Sequence, residues 1–397
     1  MPGVTASDLA ILGAPPAFPD GLPLLRPTLP TLDDVEPGLR RAFETGCLTK
    51  GPALVEYERR LAEHLGVAHA IAVSSCTAGL MLALDRFRGG EAIMPSFTFM
   101  ATAMAAVWAG LEPVFADIDP ETWCLEPAAV EEAITDETVA IVPVHVFGAP
   151  ADTAAFTALG DKHGLPVVYD AAHGFGALSN GGEPIGPEGV AQCFSTSPTK
   201  LLITGEGGVV ATDDDALAEH VVVGREYGNP GDYNPVFVGL NGRLPEASAL
   251  IGIAGLDLLE AEARRRNHLA GIYREALADL PGITFQELRD GTRSSYKDLS
   301  IRVGPEFDLT RDELAAALAA DGVDTRLYYV PAVHRSHAFG AFSDLCDERL
   351  PQTNALCAAV LTLPCYGRMD DADAERVGAL VRAAHERAPA VRTALSA

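Results

Sequence analysis

The chain has 397 residues, of which 48% are hydrophobic and 21% are charged, so a packed core is expected and wholesale disorder is excluded. At about 150 residues per domain, this length predicts two or three domains. The formal net charge is −26, and because so acidic a chain repels phosphate backbones, the charge argues against nucleic acid as the main partner.

Between residues 52 and 170, short strand patterns alternate with helical patterns. The strands are continuous apolar runs, which is typical of a parallel sheet with both faces buried. The alternation predicts an α/β fold of βαβ units, with helices covering a mostly parallel sheet. The predicted helices are Pro52–Leu65, Thr77–Arg88, Thr98–Ala109, Pro127–Ile134 and Ala151–His163, and the predicted strands are Ala68–Val73, Glu91–Pro95, Glu112–Ala116, Val139–Val144 and Pro166–Asp170.

The two ends of the chain follow other patterns. Residues 1–30 carry seven prolines and little periodicity, so we interpret them as an irregular arm that lies on the surface or reaches a partner subunit. A long helical stretch, Pro245–Leu280, precedes mixed strand and helix patterns. We therefore predict a large domain at residues 31–260 and a smaller C-terminal α+β domain at residues 261–397.

Cysteine usage and apolar run length indicate the compartment. The seven cysteines are odd in number and include no C-x-x-C pair, which predicts reduced thiols and no zinc–thiolate site. No basic residue precedes Arg26, which is atypical of a signal peptide, and no apolar run reaches the about 20 residues of a membrane span. We expect a cytoplasmic protein with no membrane partner. The H-x-x-H pair of His334 and His337 offers too few ligands, so no metal is expected.

Two polar features follow predicted strands, where ligands of open α/β sheets bind. Residues 74–79, Ser-Ser-Cys-Thr-Ala-Gly, open a helix, and their N–H groups and hydroxyls suit a phosphate, although taken alone the segment is better explained as an ordinary Ser/Thr N-cap. Asp170 ends an apolar strand, where a buried carboxylate needs a cationic partner, or else it caps the next turn.

Lysine is scarce in this chain, which makes Lys200 informative. Lys50 lies in a turn, Lys162 at a helix end and Lys297 in a polar stretch that opens a strand. Lys200 instead lies in apolar sequence between hydroxyl residues and a glycine-rich turn, which indicates a desolvated, nucleophilic amine. A phosphate site, Asp170 and Lys200 in this order are the parts that pyridoxal 5′-phosphate requires.

Short motifs spread over most of the chain agree with that hypothesis. They are LTKGP (48–52), SSCTAGL (74–80), MPSFTFMATA (94–103), PVFADIDPET (113–122), VPVHVFGAPAD (142–152), DAAHGFGA (170–177), FSTSPTK (194–200), EGG (206–208), GLNGRLPEASALIGIAGL (239–256), YYVPAVH (328–334) and LTLPCYGRM (361–369). In these segments the sequence resembles the DegT/StrS-type sugar aminotransferases, which are fold type I pyridoxal-phosphate enzymes. The resemblance implies a large domain with a seven-stranded, mostly parallel sheet.

The resemblance also implies roles for individual residues. Lys200 would form the Schiff base with the cofactor aldehyde, and Asp170 would pair with the ring nitrogen. Phe99 would stack on the ring, and His173 would lie near its O3′ oxygen. The phosphate would be bound by Thr77, Ala78 and Ser195, and by Asn241 from the second subunit of a homodimer with shared sites.

Two residues are expected on the substrate side by the same resemblance. Arg243 would bind the carboxylate of the amino donor, since arginine binds carboxylates bidentately, and His334 would lie in the substrate pocket. Two departures from the family pattern, Cys76 in place of a common glycine and residues 196–198, are expected to reshape that side of the pocket.

The implied reaction moves an amino group from glutamate or glutamine to a nucleotide-linked keto-deoxysugar, in antibiotic or glycan biosynthesis. A keto-cyclitol acceptor of the scyllo-inosose type is the first alternative. A dehydratase relative is disfavoured because such proteins replace the lysine by histidine, whereas Lys200 is retained. A regulatory protein that binds the cofactor without catalysis is the alternative of another class, and the intact Lys200, Asp170 and Ser195 argue against it.

Overall fold

The computed structural model describes residues 9–342 and 346–396. Within these residues the strands are β1 (His69–Val73), β2 (Glu91–Pro95), β3 (Glu112–Ala116), β4 (Thr138–Ile141), β5 (Val168–Asp170), β6 (Ala191–Ser195), β7 (Gly208–Thr212), β8 (Ile283–Phe285), β9 (Leu299–Val303) and β10 (Val360–Leu363).

The helices of the same ranges include one much longer than the rest, the 32-residue α8. They are α1 (Leu32–Thr45), α2 (Pro52–Leu65), α3 (Cys76–Leu84), α4 (Ala101–Trp108), α5 (Pro127–Ala133), α6 (Thr153–His163), α7 (Asp215–Gly224), α8 (Glu246–Leu277), α9 (Arg311–Ala320), α10 (Pro351–Ala359), α11 (Asp371–Glu386) and α12 (Ala388–Leu395). Every helix in the described ranges is too short or too polar to cross a membrane.

The central sheet has the strand order β1-β7-β6-β5-β4-β2-β3. Two hydrogen-bonded groups, β1-β7-β6-β5 and β4-β2-β3, are joined by parallel bridges from Ile141 to Val167 and from Val144 to Asp170. β7 is antiparallel to both of its neighbours, whereas the other pairings are parallel. This arrangement confirms the predicted mostly parallel, seven-stranded sheet of an α/β fold.

The burial of the central strands agrees with their continuous apolar sequences. Every residue of β6 and β7 is buried, as expected for central strands covered by helices on both faces. The contact between α3 and this part of the sheet is close, because a Cβ added at Gly79 would lie 3.0 Å from Val210 Cγ2. The sheet therefore holds the N-terminus of α3 against the ends of β6 and β7.

The C-terminal part contains a second, antiparallel sheet, β10-β9-β8. Helix α8 contributes Leu259 and Ala263 to the core of the large sheet, and Leu269 and Tyr273 to the core of the small one. One continuous helix thus crosses residue 260, where we predict the domain boundary, and that boundary stays a prediction.

The described part of the N-terminal arm, residues 9–30, belongs to the small core. Leu9 and Leu22 are buried there, and Leu22 forms a parallel bridge with Val323. The carboxylate of Asp321 accepts hydrogen bonds from the N–H groups of Ala10 and Ala17. Residues 9–30 are therefore packed in the small core within their own chain, and residues 1–8 lie outside the described residues.

Candidate active site

Lys200 lies in the loop between β6 and β7, beyond the carboxyl end of β6. Its N–H donates to Ser197 O at 3.0 Å, and a 2.7 Å hydrogen bond between the hydroxyls of Thr196 and Thr204 joins the two ends of the loop. Burial lowers the pKa of Lys200 to about 8, and the ammonium of Lys297 contributes next. A larger share of this amine is therefore neutral and nucleophilic near pH 7 than in an ordinary lysine.

Asp170 ends β5, and its side chain is buried. Its Oδ2 accepts from Thr102 Oγ1 at 2.7 Å, and its Oδ1 accepts from the N–H of Ala172 at 3.0 Å. Burial raises the pKa of this carboxyl, while the two hydrogen bonds and Lys200 act in the opposite direction. A cationic N–H placed against this carboxylate would stabilise its charged form, and the protonated nitrogen of a pyridine ring is such a group.

The thiol of Cys76 lies beside Asp170. Its Sγ donates to Cys193 O at 3.1 Å and is 4.0 Å from Asp170 Oδ1. Burial raises the pKa of Cys76 well above its ordinary value. The expectation that Cys76 reshapes the substrate side is therefore corrected: the thiol is buried between the ends of β5 and β6 because the first turn of α3 turns it toward the sheet.

The N-terminus of α3 faces the same edge of the sheet. Ser75 is its N-cap, and Ser75 Oγ accepts from the N–H of Ala78 at 3.1 Å. The first intrahelical bond runs from the N–H of Gly79 to Ser75 O, so the N–H groups of Cys76 and Thr77 point out of the helix end. Such a helix end attracts anions, and its nine residues give it a dipole that favours a phosphate.

β7 passes close beneath this helix end. A Cβ added at Gly208 would lie 2.4 Å from the backbone nitrogen of Cys76, so only glycine permits the approach. Gly208 pairs with Ser195, the buried last residue of β6. This pairing brings the backbone of Ser195 near the open end of α3, as a phosphate-binding role requires.

His173 lies in the turn after β5, with its ring orientation set by the backbone. Its Nδ1 accepts from the N–H of Phe147 at 3.1 Å, and Ser295 Oγ donates to His173 O at 2.7 Å. Burial, followed by the charges of Lys200 and Lys297, holds the pKa of His173 well below its ordinary value. The ring is therefore neutral with its proton on Nε2, which makes Nε2–H a donor for an anionic oxygen.

The two aromatic residues before α4 have different surroundings. Phe97 is fully buried and meets Phe147 and Tyr329 edge-on, with ring centroids 5.9 and 5.5 Å apart. Phe99 is 52% exposed, and its carbonyl accepts from Thr102 Oγ1, the same hydroxyl that contacts Asp170. Phe99 is thus the aromatic residue with ring surface available for stacking on a ligand.

Asn241 and Arg243 lie at the end of β1. Arg243 forms an antiparallel bridge with Val73, which places this segment directly beside residues 74–79 of the same chain. The Arg243 guanidinium donates to the Glu226 carboxylate at 3.1 Å, and Lys50 contacts the same oxygen at 3.3 Å. Asn241 is exposed, so its side chain is available to a group outside this chain.

His334 does not face the site as we expected. It is fully buried, its Nδ1 lies 2.7 Å from Ser96 Oγ, and its Nε2 lies 2.9 Å from Asp347 Oδ1. Because both ring nitrogens are bonded within the protein, His334 has no group left for a substrate. It instead connects the end of β2 to the segment ahead of α10, and we withdraw it as a substrate-binding residue.

The sequence motifs did not indicate a buried ion pair that lies beside Phe147. Lys297 and Asp298 are both buried, and Lys297 Nζ lies 2.9 and 2.8 Å from the two carboxylate oxygens. The signal was present in the sequence as a Lys-Asp pair followed directly by an apolar strand. Nothing in the local sequence, however, shows that residue 297 lies beside Phe147.

These residues together fit a pyridoxal-phosphate site. A nucleophilic lysine, a buried carboxylate, an open helix end and a neutral histidine meet at one edge of the sheet, and each complements a different part of the cofactor. In the described residues, no group of three or more His, Cys, Asp and Glu side chains is placed to hold a metal ion. The fold and the site therefore define a fold type I pyridoxal-phosphate enzyme.

Comparison with known proteins then identifies the family. The model of the DegT/DnrJ/EryC1/StrS aminotransferase family matches residues 33–382. The chain belongs to this family, and it is a pyridoxal-phosphate-dependent aminotransferase. The family, the enzyme class and the cofactor expected from the sequence motifs are thereby confirmed.

Individual relatives cover most of the chain. The chain is 30% identical over 352 residues to the dTDP-4-amino-4,6-dideoxy-D-glucose transaminase of Escherichia coli. The alignment covers 88% of this chain and 95% of that protein. The chain is 35% identical over 354 residues to the erythromycin biosynthesis sensory transduction protein EryC1 of Saccharopolyspora erythraea, covering 88% and 95%. The structure of DesI with its TDP-sugar product superposes with a TM-score of 0.90 at 35% identity, covering 99% and 100% of the two chains.

Proposed function

We propose that this aminotransferase moves an amino group from glutamate or glutamine to the carbonyl carbon of a nucleoside-diphosphate-linked keto-deoxysugar. The observation that carries the proposal is the meeting of Lys200, Asp170 and the open end of α3 at one sheet edge. The names of two relatives, a dTDP-amino-sugar transaminase and DesI with a TDP-sugar product, support the sugar nucleotide as acceptor.

Lys200 moves the proton in both half-reactions. Pyridoxal phosphate supplies an aldehyde to hold the amino group and a ring to accept electrons. Lys200 Nζ accepts the proton that leaves Cα of the amino donor, and later donates a proton to the acceptor carbon that receives the amino group. An amine with a pKa of about 8 suits both tasks, since its two protonation states are both populated near neutral pH.

The remaining residues bind and orient. Asp170, held by Thr102 and Ala172, would keep the ring nitrogen protonated by charge pairing in a buried site. His173 would donate from Nε2 to the O3′ oxygen, since its Nδ1 is already occupied by Phe147. Thr77, Ala78 and Ser195 would bind the phosphate; the N–H of Ala78 would then be shared with Ser75 Oγ.

The active form in this proposal is a homodimer with shared sites. Tyr233, Val236 and Val238 are 93%, 65% and 85% exposed in the segment that leads to Asn241 and Arg243. Apolar side chains exposed together in this way mark an interaction surface. A two-fold partner that covers them would receive Asn241 at its phosphate and Arg243 at its donor carboxylate.

We propose a cytoplasmic setting within antibiotic or glycan biosynthesis. The cysteines support a reducing compartment, because the described thiols are all free and all but Cys47 are buried. The product of such a step is an amino sugar still bound to its nucleotide, ready for later transfer.

The acceptor is tested by separating the two half-reactions. The enzyme is treated with glutamate until the visible absorbance of its bound aldehyde form disappears, and the donor is then removed by gel filtration. A dTDP-linked 4-keto-6-deoxysugar should restore the absorbance, while scyllo-inosose should not. Lys200→Ala treated alike is the control.

Other outcomes of this experiment have definite meanings. Restoration by scyllo-inosose alone would replace the sugar nucleotide by a keto-cyclitol. If glutamate and glutamine both leave the absorbance unchanged in a chain that binds the cofactor, the protein is a non-catalytic binder and the proposed reaction is wrong.

A further inference from the structure

Two cationic side chains, Lys50 and Arg243, meet on the carboxylate of Glu226. One oxygen, Glu226 Oε2, accepts a hydrogen bond from Arg243 Nη1 at 3.1 Å and lies 3.3 Å from Lys50 Nζ. The side chain of Glu226 is 16% exposed and is the least exposed of the three. The cluster therefore has its anion inside and its cations outside, with one positive charge in excess.

Backbone pairing fixes the two segments that carry Glu226 and Arg243. Glu226 forms an antiparallel bridge with Asn241, and Arg243 forms one with Val73. The carboxylate and the guanidinium are thus held together by paired backbone as well as by their own contact. Because Val73 ends β1, the pair lies where residues 74–79 begin.

The ring of Tyr227 contacts the same guanidinium. Arg243 Cζ lies 5.3 Å from the centre of this ring, within the range of a cation–π interaction. Tyr227 has a φ of 65° and Lys50 has a φ of 56°, which places both residues in the left-handed region that non-glycine residues seldom adopt. Such backbone conformations cluster at functional sites.

These contacts orient Arg243 without using it up. A guanidinium has five N–H donors, and the hydrogen bond to Glu226 uses one of them at Nη1. An arginine paired with a carboxylate of its own would lose much of its attraction for a second carboxylate. Lys50 shares the charge of Glu226, so the cluster stays attractive to an anion.

We propose that Glu226 is a positioning residue for Arg243: its carboxylate, with the Tyr227 ring, holds the guanidinium so that the remaining N–H groups meet the carboxylate of the amino donor. Lys50 balances the charge of Glu226. The proposal rests on the donor-binding role of Arg243 in the proposed function. It places the orientation of the donor under the control of a residue that does not itself contact the donor.

The test measures donor binding apart from turnover. The probe is α-methylglutamate, which occupies the donor's place but has no Cα hydrogen to lose, and its Kd is read from the visible absorbance of the holoenzyme. Arg243→Met should raise this Kd by about tenfold or more. Glu226→Gln keeps the shape of the side chain and removes its charge, and it should raise the Kd by about three- to tenfold.

Steady-state kinetics should show the same selectivity. In Glu226→Gln, kcat/KM for glutamate should fall by the factor by which the Kd rises. For the sugar nucleotide, kcat/KM should stay within about twofold of wild type, because this acceptor does not use the carboxylate contact. A general disturbance of the site would lower both values.

A double variant and a matched control complete the set. In the Arg243→Met background, Glu226→Gln should raise the Kd no further, because Glu226 acts through Arg243. Glu260→Gln removes the charge of a half-exposed glutamate that pairs with Arg293 at 2.8 Å, and it should leave the Kd unchanged.

Each contrary result identifies the statement that fails. A carboxylate that only neutralised Arg243 would weaken donor binding, so an unchanged or lower Kd in Glu226→Gln would overturn the positioning role. A further rise in the double variant would overturn it as well. An unchanged Kd in Arg243→Met would instead overturn the donor-binding role of Arg243 in the proposed function.

Discussion

The sheet edge around Lys200 and the segment Tyr233–Leu240 differ in the burial of their side chains. At the sheet edge, Asp170 and His173 are buried and each has hydrogen-bond partners within the chain. In the segment, Tyr233, Val236 and Val238 are apolar and largely exposed. Yet the segment leads directly into Arg243, which is bridged to β1 beside the N-terminus of α3.

The difference indicates that the two regions have different functions in the proposed dimer. Groups that must have shifted pKa values are built from one chain, because burial is what shifts them. The groups proposed to contact the outer end of the cofactor and the substrate, Asn241 and Arg243, follow a segment with an exposed surface that a second copy could cover. Each of the following variants disrupts one of these regions or the charge of Lys200.

Loss of the Lys200 amine should have the largest effect. Lys200→Ala should abolish transamination and covalent attachment of the cofactor, because no other lysine occupies its place. The measurement is turnover, together with retention of cofactor after denaturation of a borohydride-treated sample. Lys162→Ala, at an exposed helix end, is the matched control and should keep both properties. Turnover above background in purified Lys200→Ala would contradict the assignment.

Removal of the buried negative charge of Asp170 should have the second-largest effect on turnover. Asp170→Asn keeps the shape of the side chain but no longer favours a protonated ring nitrogen. Because uncoupling a buried charge pair costs about 3–5 kcal/mol, we expect the rate to fall by about a hundredfold or more. Cofactor affinity should change far less, since the phosphate site provides most of it. Near-normal turnover would mean that Asp170 only caps its turn.

A charge on the exposed segment tests the other region. Val238→Asp places a carboxylate on the proposed dimer surface, where desolvation would oppose association. We expect a shift toward monomer in sedimentation velocity and a fall in turnover of about tenfold or more, with the fold intact. Leu395→Asp, a partly exposed leucine of α12, is the control and should leave assembly unchanged. An unaltered dimer with full turnover would remove this segment from the interface.

The smallest predicted effect concerns stability. The pKa of Lys200 is lowered to about 8 in the folded chain, so between pH 8 and its ordinary value of 10.5 the unfolded chain binds more protons, and stability rises with pH there. Below pH 8 the folded chain carries the full cost of a buried charge. Cofactor-free Lys200→Met should therefore unfold about 2–4 °C higher at pH 7, with a smaller gain at pH 10. A lower Tm at pH 7 would contradict the lowered pKa.

Local patterns in the sequence were sufficient to predict much of the fold. The bounds of α2 agree with the predicted helix Pro52–Leu65, because apolar periodicity is ended by Gly66 in a left-handed conformation. β2 likewise covers the predicted Glu91–Pro95. The antiparallel direction of β7 could not be predicted in this way, since a buried strand has the same apolar pattern in either direction.

Long-range packing accounts for what the sequence did not reveal. Lys297 donates its N–H to Phe147 O from 150 residues further along the chain, and its ion pair with Asp298 is buried, whereas a charge pattern alone predicts solvated side chains. His334 carries a family motif, yet its contacts with Ser96 and Asp347 bury it. Lys200 and Asp170 could be predicted because their chemistry requires unusual residues at strand ends. Such residues are visible in the local sequence.

The division of the site between two chains is tested most directly with hybrid dimers. Lys200→Ala and the double variant Asn241→Ala with Arg243→Ala are each inactive by our account. After they are mixed through reversible dissociation, a hybrid dimer holds one site with an intact lysine and an intact partner segment. The account predicts that purified hybrids regain about half of the wild-type turnover per dimer. Verified hybrids without activity would show that each chain completes its own site.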